Sequence, residues 1–138
     1  MPATLDRKFE KFLGGPVEPP AERVHATIDK RSVITMNAKC HNLLGKPVGA
    51  YLHFSRVDDT IAIEPFSSLM LPGVFPFHSN GTARYLYAAS FTRHFRIDLD
   101  TTLRFIYPDF KDGALHLKLS ETVAIARTRR WQRKEKLA

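Results

Sequence analysis

Apolar and polar residues alternate in short stretches along the first half of the chain, a pattern typical of strands with one buried face. The first two stretches flank the polar corner 29–32, and the next two flank the polar turn 56–59. The pattern therefore predicts two β-hairpins. Their strands are expected at 24–28, 33–36, 50–55 and 60–65, and the inward-facing residues of the second hairpin are expected to be Leu52, Phe54, Ile61 and Ile63.

A short helix is predicted between these hairpins, over Ala38–Leu44. Asn37 precedes it, and asparagine commonly caps helix N-termini because its side-chain oxygen accepts a backbone N–H. Gly45 follows it, and glycine is typical of the position just after a helix. The first half of the chain thus has the order hairpin, helix, hairpin.

The second half repeats this order after a break in composition at 67–76. Ser79-Asn80-Gly81 is a strong tight-turn signal, and a helix is predicted over Ala88–Phe95. The strands of the two flanking hairpins are expected at 75–78, 82–86, 102–108 and 114–119, the last two joined by the turn 109–113. In this closing hairpin the expected inward-facing residues are Leu103, Phe105, Leu115, Leu117 and Leu119.

The two halves align as copies of one pattern, since a shift of 50 residues places Met36 on Leu86 and Ala38 on Ala88. The other interpretation is that a small α+β protein alternates these elements by chance. We predict a mainly β fold (β-rich α+β) in which two β-hairpin/short-helix/β-hairpin repeats form a small barrel-like pseudo-dimer. The predicted divisions are an N-terminal extension and linker at 1–23, a first repeat at 24–66, a linker at 67–73, a second repeat at 74–120 and a basic C-terminal tail at 121–138.

Composition narrows the class of protein. The 138 residues are 43% hydrophobic, enough for one buried core, and a net charge of +7 favours polyanionic partners. Cys40 is the single cysteine, which excludes a disulfide within the chain and fits a reducing compartment. The N-terminal residues lack the apolar segment of a signal peptide, and no apolar run is long enough to cross a membrane. We therefore expect a cytoplasmic protein with no membrane partner.

The stretch from Thr27 to Gly45 resembles the signature of AbrB-type, swapped-hairpin DNA-binding domains. Two such units in one chain are similar to the MraZ arrangement, in which the copies pair about a pseudo-twofold axis. The resemblance implies a DNA-binding scaffold and a monomer, because one chain supplies both halves. The matching residues are Ile28-Asp29, Arg31, Val33-Ile34, Met36 and Leu44-Gly45.

Cationic residues near the predicted corners and helices are candidates for nucleic-acid contacts, because phosphates are bound by Lys and Arg on exposed surfaces. Lys30, Arg31 and Lys39 are expected to line one surface of the first unit. Arg84 and Arg93 are expected to form the equivalent patch of the second unit. The alternative is that these are ordinary solvated side chains at turn tips.

The C-terminal tail is a second candidate. Its residues 126–138 contain six Lys or Arg residues against Glu135 alone, and such a tract neutralises phosphates. Trp131 is expected to stack on a base or to pack on the domain. The alternatives are a solubilising tail or a short terminal helix pinned by Trp131. The tail residues that we assign to nucleic-acid binding are Arg127, Arg129, Arg130, Trp131 and Arg133.

No pattern in the sequence supports catalysis, a metal site or a cofactor, because the six His residues are scattered and no Cys pair or phosphate-binding loop is present. Cys40 is expected to be a small core residue. The sequence predicts a DNA-binding protein, with transcriptional regulation as the expected role and DNA favoured over RNA. Two alternatives stay open: a protein-interaction or assembly module that docks a partner through 67–77, and an RNA-binding accessory protein.

Overall fold

In the computed structural model, residues 23–125 are described, and within them the chain forms eleven short strands and two helices. The prediction of a mainly β fold is confirmed. The helices are α1 (Ala38–Leu43) and α2 (Ala89–Phe95). The strands are β1 (Ala26–Ile28), β2 (Val33–Met36), β3 (Gly49–Ser55), β4 (Thr60–Phe66), β5 (Phe75–Pro76), β6 (His78–Asn80), β7 (Ala83–Tyr87), β8 (Thr102–Phe105), β9 (Asp109–Lys111), β10 (Ala114–Lys118) and β11 (Thr122–Ile125).

The strands form two sheets, and each contains strands from both units. The six-stranded sheet has the order β11-β8-β1-β2-β7-β6, and the five-stranded sheet has the order β5-β3-β4-β10-β9. In both sheets a strand of the first unit pairs antiparallel with its counterpart in the second, β2 with β7 and β4 with β10. The units are therefore interleaved and share one core.

The register of the β2–β7 pair agrees with the repeat found in the sequence. Thr35 lies directly opposite Tyr85, and these positions differ by the same 50 residues that align the two units. An antiparallel pair of equivalent residues has a local twofold axis through its centre. The two units accordingly meet about such an axis in the middle of the six-stranded sheet.

The prediction that strands 102–108 and 114–119 of the second unit form a closing hairpin is wrong. β8 pairs with β1 and β11, whereas β10 pairs with β9 across the tight turn Asp112-Gly113. Both turn residues have positive φ, 53° and 74°, which is the geometry that Asp-Gly favours in two-residue hairpins. Because this local hairpin forms, β8 is left to pair elsewhere, and within residues 23–125 the sheets do not close into a barrel. β11 lies in the segment predicted to be the tail.

The core lies between the inner faces of the two sheets. The alternation seen in the sequence is confirmed there: Ile61, Ile63, Leu115 and Leu117 are fully buried, and the other predicted inward residues are buried or pack against the core. Cys40 is also fully buried, and burial raises the pKa of its thiol to about 12. The thiol is therefore protonated at neutral pH, as expected of a core cysteine.

The two helices begin differently. The side-chain oxygen of Asn37 accepts a hydrogen bond from the Cys40 N–H at 3.1 Å, so the predicted cap of α1 is confirmed. No side chain caps α2, but the N–H of Ala88, just before it, donates to the carbonyl of Ser32 at 2.9 Å. The start of α2 is thus attached to the corner of the first unit.

Candidate nucleic-acid interface

The corner between β1 and β2 is a tight loop held by its own hydrogen bonds. The side-chain oxygen of Asp29 accepts from the N–H groups of Arg31 and Val33, each at 2.9 Å. The Ser32 N–H donates to the Asp29 carbonyl at 2.9 Å, and Ser32 itself has a φ of 66°. Lys30 and Arg31 are exposed at the tip of this loop. Their backbone positions are therefore fixed before any ligand arrives.

A contact between the units holds the corner in place. The hydroxyl groups of Ser32 and Thr92 are 2.6 Å apart, and only 8% of Ser32 and 4% of Thr92 are exposed. Thr92 lies on α2 of the second unit. The corner of the first unit therefore packs against the helix of the second unit, close to the side chains of that helix.

The packing of the corner on α2 brings cations from both units around one open depression of about 510 Å³. Lys30 and Arg31 line it from the corner, and Arg93 and Arg96 line it from α2 and the residue that follows. Asp98 is the single carboxylate among the described residues that line the depression. We call Lys30, Arg31, Arg93 and Arg96 the basic cluster.

Beyond the basic cluster the charges are mixed, because two arginines and two aspartates line the adjoining surface. Arg96 and Asp98 also line a neighbouring depression of about 440 Å³, which reaches Arg56 and Asp59. The guanidinium carbon of Arg56 lies 5.3 Å from the centre of the Phe95 ring, a cation–π distance. Neither Arg56 nor Arg96 was identified from the sequence. Arg96 directly follows the predicted helix, and a search for cations at helix ends would have found it.

The predicted grouping of cations by unit is wrong for Arg93. It lies with Lys30 and Arg31, because the interleaved strands place the corner of one unit on the helix of the other. Arg84 is directed to its own turn, where its Nη1 donates to the carbonyls of Gly81 at 3.3 Å and Ala83 at 3.1 Å. Lys39 is exposed on α1 and does not line the depression.

The predicted tail residues lie outside the described residues. From the sequence alone, residues 126–138 contribute six of the 21 Lys and Arg residues and one of the 14 acidic residues. They therefore account for a net charge of +5 out of +7.

One row of paired residues crosses the outer face of the six-stranded sheet. It consists of His78, Tyr85, Thr35, Thr27, Arg104 and Val123, each directly opposite the next. In the adjacent row, which faces the opposite way, Ile28, Ile34 and Leu86 are fully buried. Among the described strand residues that face outward from this sheet there is no carboxylate. These residues are Thr27, Val33, Thr35, His78, Asn80, Ala83, Tyr85, Tyr87, Thr102, Arg104, Val123 and Ile125.

His25 lies just before β1, near two cations. Its burial lowers the pKa of the imidazole, and the charges of Arg104 and Arg23 lower it further. The ring is therefore neutral at physiological pH. In this region the cationic charge is contributed by the two arginines and not by the histidine.

The five-stranded sheet has an outer face of different character. His53, Ala62, His116 and Asp109 form its central row, and the Nε2 atom of His53 lies 2.9 Å from a carboxylate oxygen of Glu64. Acidic and basic groups are mixed here. Within 23–125 no group of three His, Cys, Asp or Glu side chains is placed to hold a metal ion.

In the part of the chain that the structure describes, no helix has the length and apolar character needed to cross a membrane. Comparisons with protein-family models, with curated proteins and with solved structures found no match to this chain. The function is therefore inferred from the geometry of the described residues and from the sequence.

Proposed function

We propose that this is a cytoplasmic, monomeric DNA-binding protein with a role in transcriptional regulation, and that the basic cluster contacts the phosphates. The observation that carries the proposal is the convergence of Lys30, Arg31, Arg93 and Arg96 on one open depression. The resemblance of the first unit to AbrB-type domains supports DNA as the partner.

The chemistry of the basic cluster suits a phosphate backbone. Arginine presents several N–H donors in a planar fork, and lysine adds a mobile point charge. Contacts of this kind position a protein on DNA without reading its sequence. Because the loop that carries Lys30 and Arg31 is fixed by backbone hydrogen bonds, little backbone entropy is lost when it binds.

One residue of the basic cluster, Arg93, also has a structural role that does not depend on binding. Arg93 lies in the last turn of α2, and cations are favourable at helix C-termini because of the helix dipole. Lys30 and Arg31 are not on a helix, so this role does not extend to them. They are the residues whose replacement tests binding most clearly.

A protein-interaction module is the second candidate, and the linker before β5 favours it. This linker packs on β3, since a Cβ atom on Gly49 would lie 2.8 Å from a side-chain carbon of Leu69. Leu69, Met70 and Leu71 are nevertheless exposed, Met70 by 90%. An ordered linker with exposed apolar side chains is a surface that a protein partner could cover.

Replacing Lys30 and Arg31 together by alanine should weaken DNA binding and lower the slope of log affinity against log salt by about two, one unit for each phosphate that the variant no longer binds. The melting temperature should change little, because exposed charges contribute only about 0–1 kcal/mol to folding. Salt-titrated fluorescence anisotropy with a labelled DNA, together with thermal melts, measures both quantities.

The matched control is the double variant Lys111→Ala and Lys118→Ala, which removes the same charge from the five-stranded sheet. Both lysines are half exposed, and each lies 3.9 Å from a carboxylate. The control should retain the wild-type salt slope. If both double variants lose affinity equally, binding follows net charge and not the basic cluster. If the wild-type protein binds no DNA at low salt, the interaction module is favoured.

A further inference from the structure

Three aromatic side chains form a group on the outer face of the six-stranded sheet, on β6 and β7. The ring of His78 lies 5.3 Å from that of Tyr85 and 4.9 Å from that of Tyr87, and the two tyrosine rings are 5.4 Å apart. We call these residues the aromatic triad. They pack on one another and not in the core, and Tyr87 remains 57% exposed.

The ring of Tyr87 is held in position. It contacts the rings of His78 and Tyr85, at 4.9 Å and 5.4 Å between ring centres, and the nearby Tyr87 side chain raises the pKa of the Tyr85 hydroxyl. The two tyrosine rings are nearly perpendicular, at 82°, whereas His78 and Tyr85 are stacked at 24°. An exposed aromatic ring held by its neighbours loses little entropy when another flat group stacks on it.

The aromatic triad lies beside the basic cluster. Tyr87 is directly opposite Val33, the first residue after the corner, and the next residue along, Ala88, donates its N–H to Ser32. Opposite residues on paired strands are about 5 Å apart and successive residues about 3.3 Å, so the backbone of Arg31 lies within roughly 10 Å of Tyr87. Arg104 lies on the same face of the sheet, whose outward strand positions include no carboxylate.

This combination of cations and an exposed aromatic ring indicates the kind of nucleic acid. A strand that runs past the basic cluster would bring its next bases to Tyr87. Aromatic side chains stack well on unpaired bases, because every base has a π-face. In a duplex these faces are covered by the neighbouring base pairs, so reaching them costs unstacking energy.

We propose that the aromatic triad binds unpaired nucleobases, with Tyr87 as the stacking residue, and that the protein prefers a single strand to a duplex. This inference rests on the proposed function, because the basic cluster supplies the phosphate contacts. To the proposed function it adds the class of ligand, which is a nucleic-acid strand with accessible bases.

Replacing Tyr87 by alanine should weaken binding to a labelled oligothymidylate by about fivefold or more, the loss typical of one stacked base. An abasic strand of equal length carries the same phosphates without bases, and the wild-type protein should bind it more weakly than oligothymidylate. The Tyr87→Ala variant should bind the two strands with nearly equal affinity. Fluorescence anisotropy at one fixed salt concentration measures all four affinities.

Two further variants separate stacking from folding. Tyr87→Phe keeps the ring and should bind like the wild type. Tyr107→Ala removes a tyrosine that is 70% exposed beside the five-stranded sheet, and it should also bind like the wild type. Melting temperatures of all variants show whether each one is folded.

The inference is overturned if Tyr87→Ala weakens binding to the abasic and the base-carrying strands equally, or changes neither. It is also overturned if the wild-type protein binds an equal-length duplex as tightly as the single strand; the basic cluster then still binds DNA, and the proposed function stands. Binding of neither form at low salt would remove both proposals. An oligouridylate arm assigns the strand to RNA if it is bound more tightly and to DNA if it is bound less tightly.

Discussion

Replacing Leu86 by alanine should lower the free energy of unfolding by about 2–5 kcal/mol, the usual cost of removing a large side chain from a close-packed core. Leu86 is fully buried on β7 and lies directly opposite Ile34, which is fully buried on β2. The pair joins the two units in the middle of the six-stranded sheet. Urea denaturation followed by circular dichroism measures the change.

Val57→Ala is the control for this experiment, because Val57 is 95% exposed in the turn between β3 and β4 and its truncation should change stability little. The interleaved strands also predict a single unfolding transition for the Leu86→Ala variant, since neither unit has a complete sheet of its own. Two separate transitions, or a loss equal to that of the control, would contradict the shared core.

Deletion of residues 126–138 should reduce DNA affinity more than the corner variant does, because it removes a net charge of +5 against +2 at the corner. Each phosphate that is no longer neutralised should lower the salt slope by about 0.9 for duplex DNA and about 0.7 for a single strand. Preference among sequences should not change, because phosphate contacts carry no base information. Salt titrations of the truncated and full-length proteins with two unrelated DNA sequences test both points.

A full-length variant with the six Lys and Arg residues of 126–138 replaced by glutamine separates charge from chain length. It should behave like the truncated protein. Should the corner variant bind as tightly as wild type while both tail variants lose all binding, Lys30 and Arg31 would be ordinary solvated residues. The likeness to AbrB-type domains would then concern the scaffold alone.

Local signals in the sequence are sufficient to predict the strands and the helix of the first unit. The alternation that predicts β3 and β4 also identifies Ile61 and Ile63 as core residues, and Asn37 caps α1 as its type and position predict. These features depend on residues close together in the chain. Periodicity and capping chemistry therefore determine them.

The second unit is harder to predict because its strands have competing partners. Alternation predicts the buried residues of β8 and β10 but not which strand each one joins. β10 forms a short hairpin with β9 through the turn Asp112-Gly113, and β8 pairs instead with β1 and β11. Pairing between strands distant in sequence depends on the whole fold, and a sequence pattern does not specify it.

Prediction of the site from the sequence is limited in the same way, because the site depends on contacts between distant parts of the chain. Lys30, Arg31 and Arg93 are each recognisable from the sequence as exposed cations, but their grouping depends on the interleaving of the units. The sequence indicates no role for Tyr85 and Tyr87, since their alternation with Leu86 shows only that they face away from the core. Their position beside the corner follows from the register of β2 against β7.

An amide NMR titration of the full-length protein with a DNA oligonucleotide tests the proposed interface most directly. We expect chemical-shift changes to concentrate at the basic cluster, at Ser32, on β7 and in residues 126–138. The signals of Lys111, His116 and Lys118, on the outer face of the five-stranded sheet, should remain unchanged. Changes confined to that face or to the linker 67–73, or no changes at DNA concentrations that saturate binding, would contradict the proposed interface.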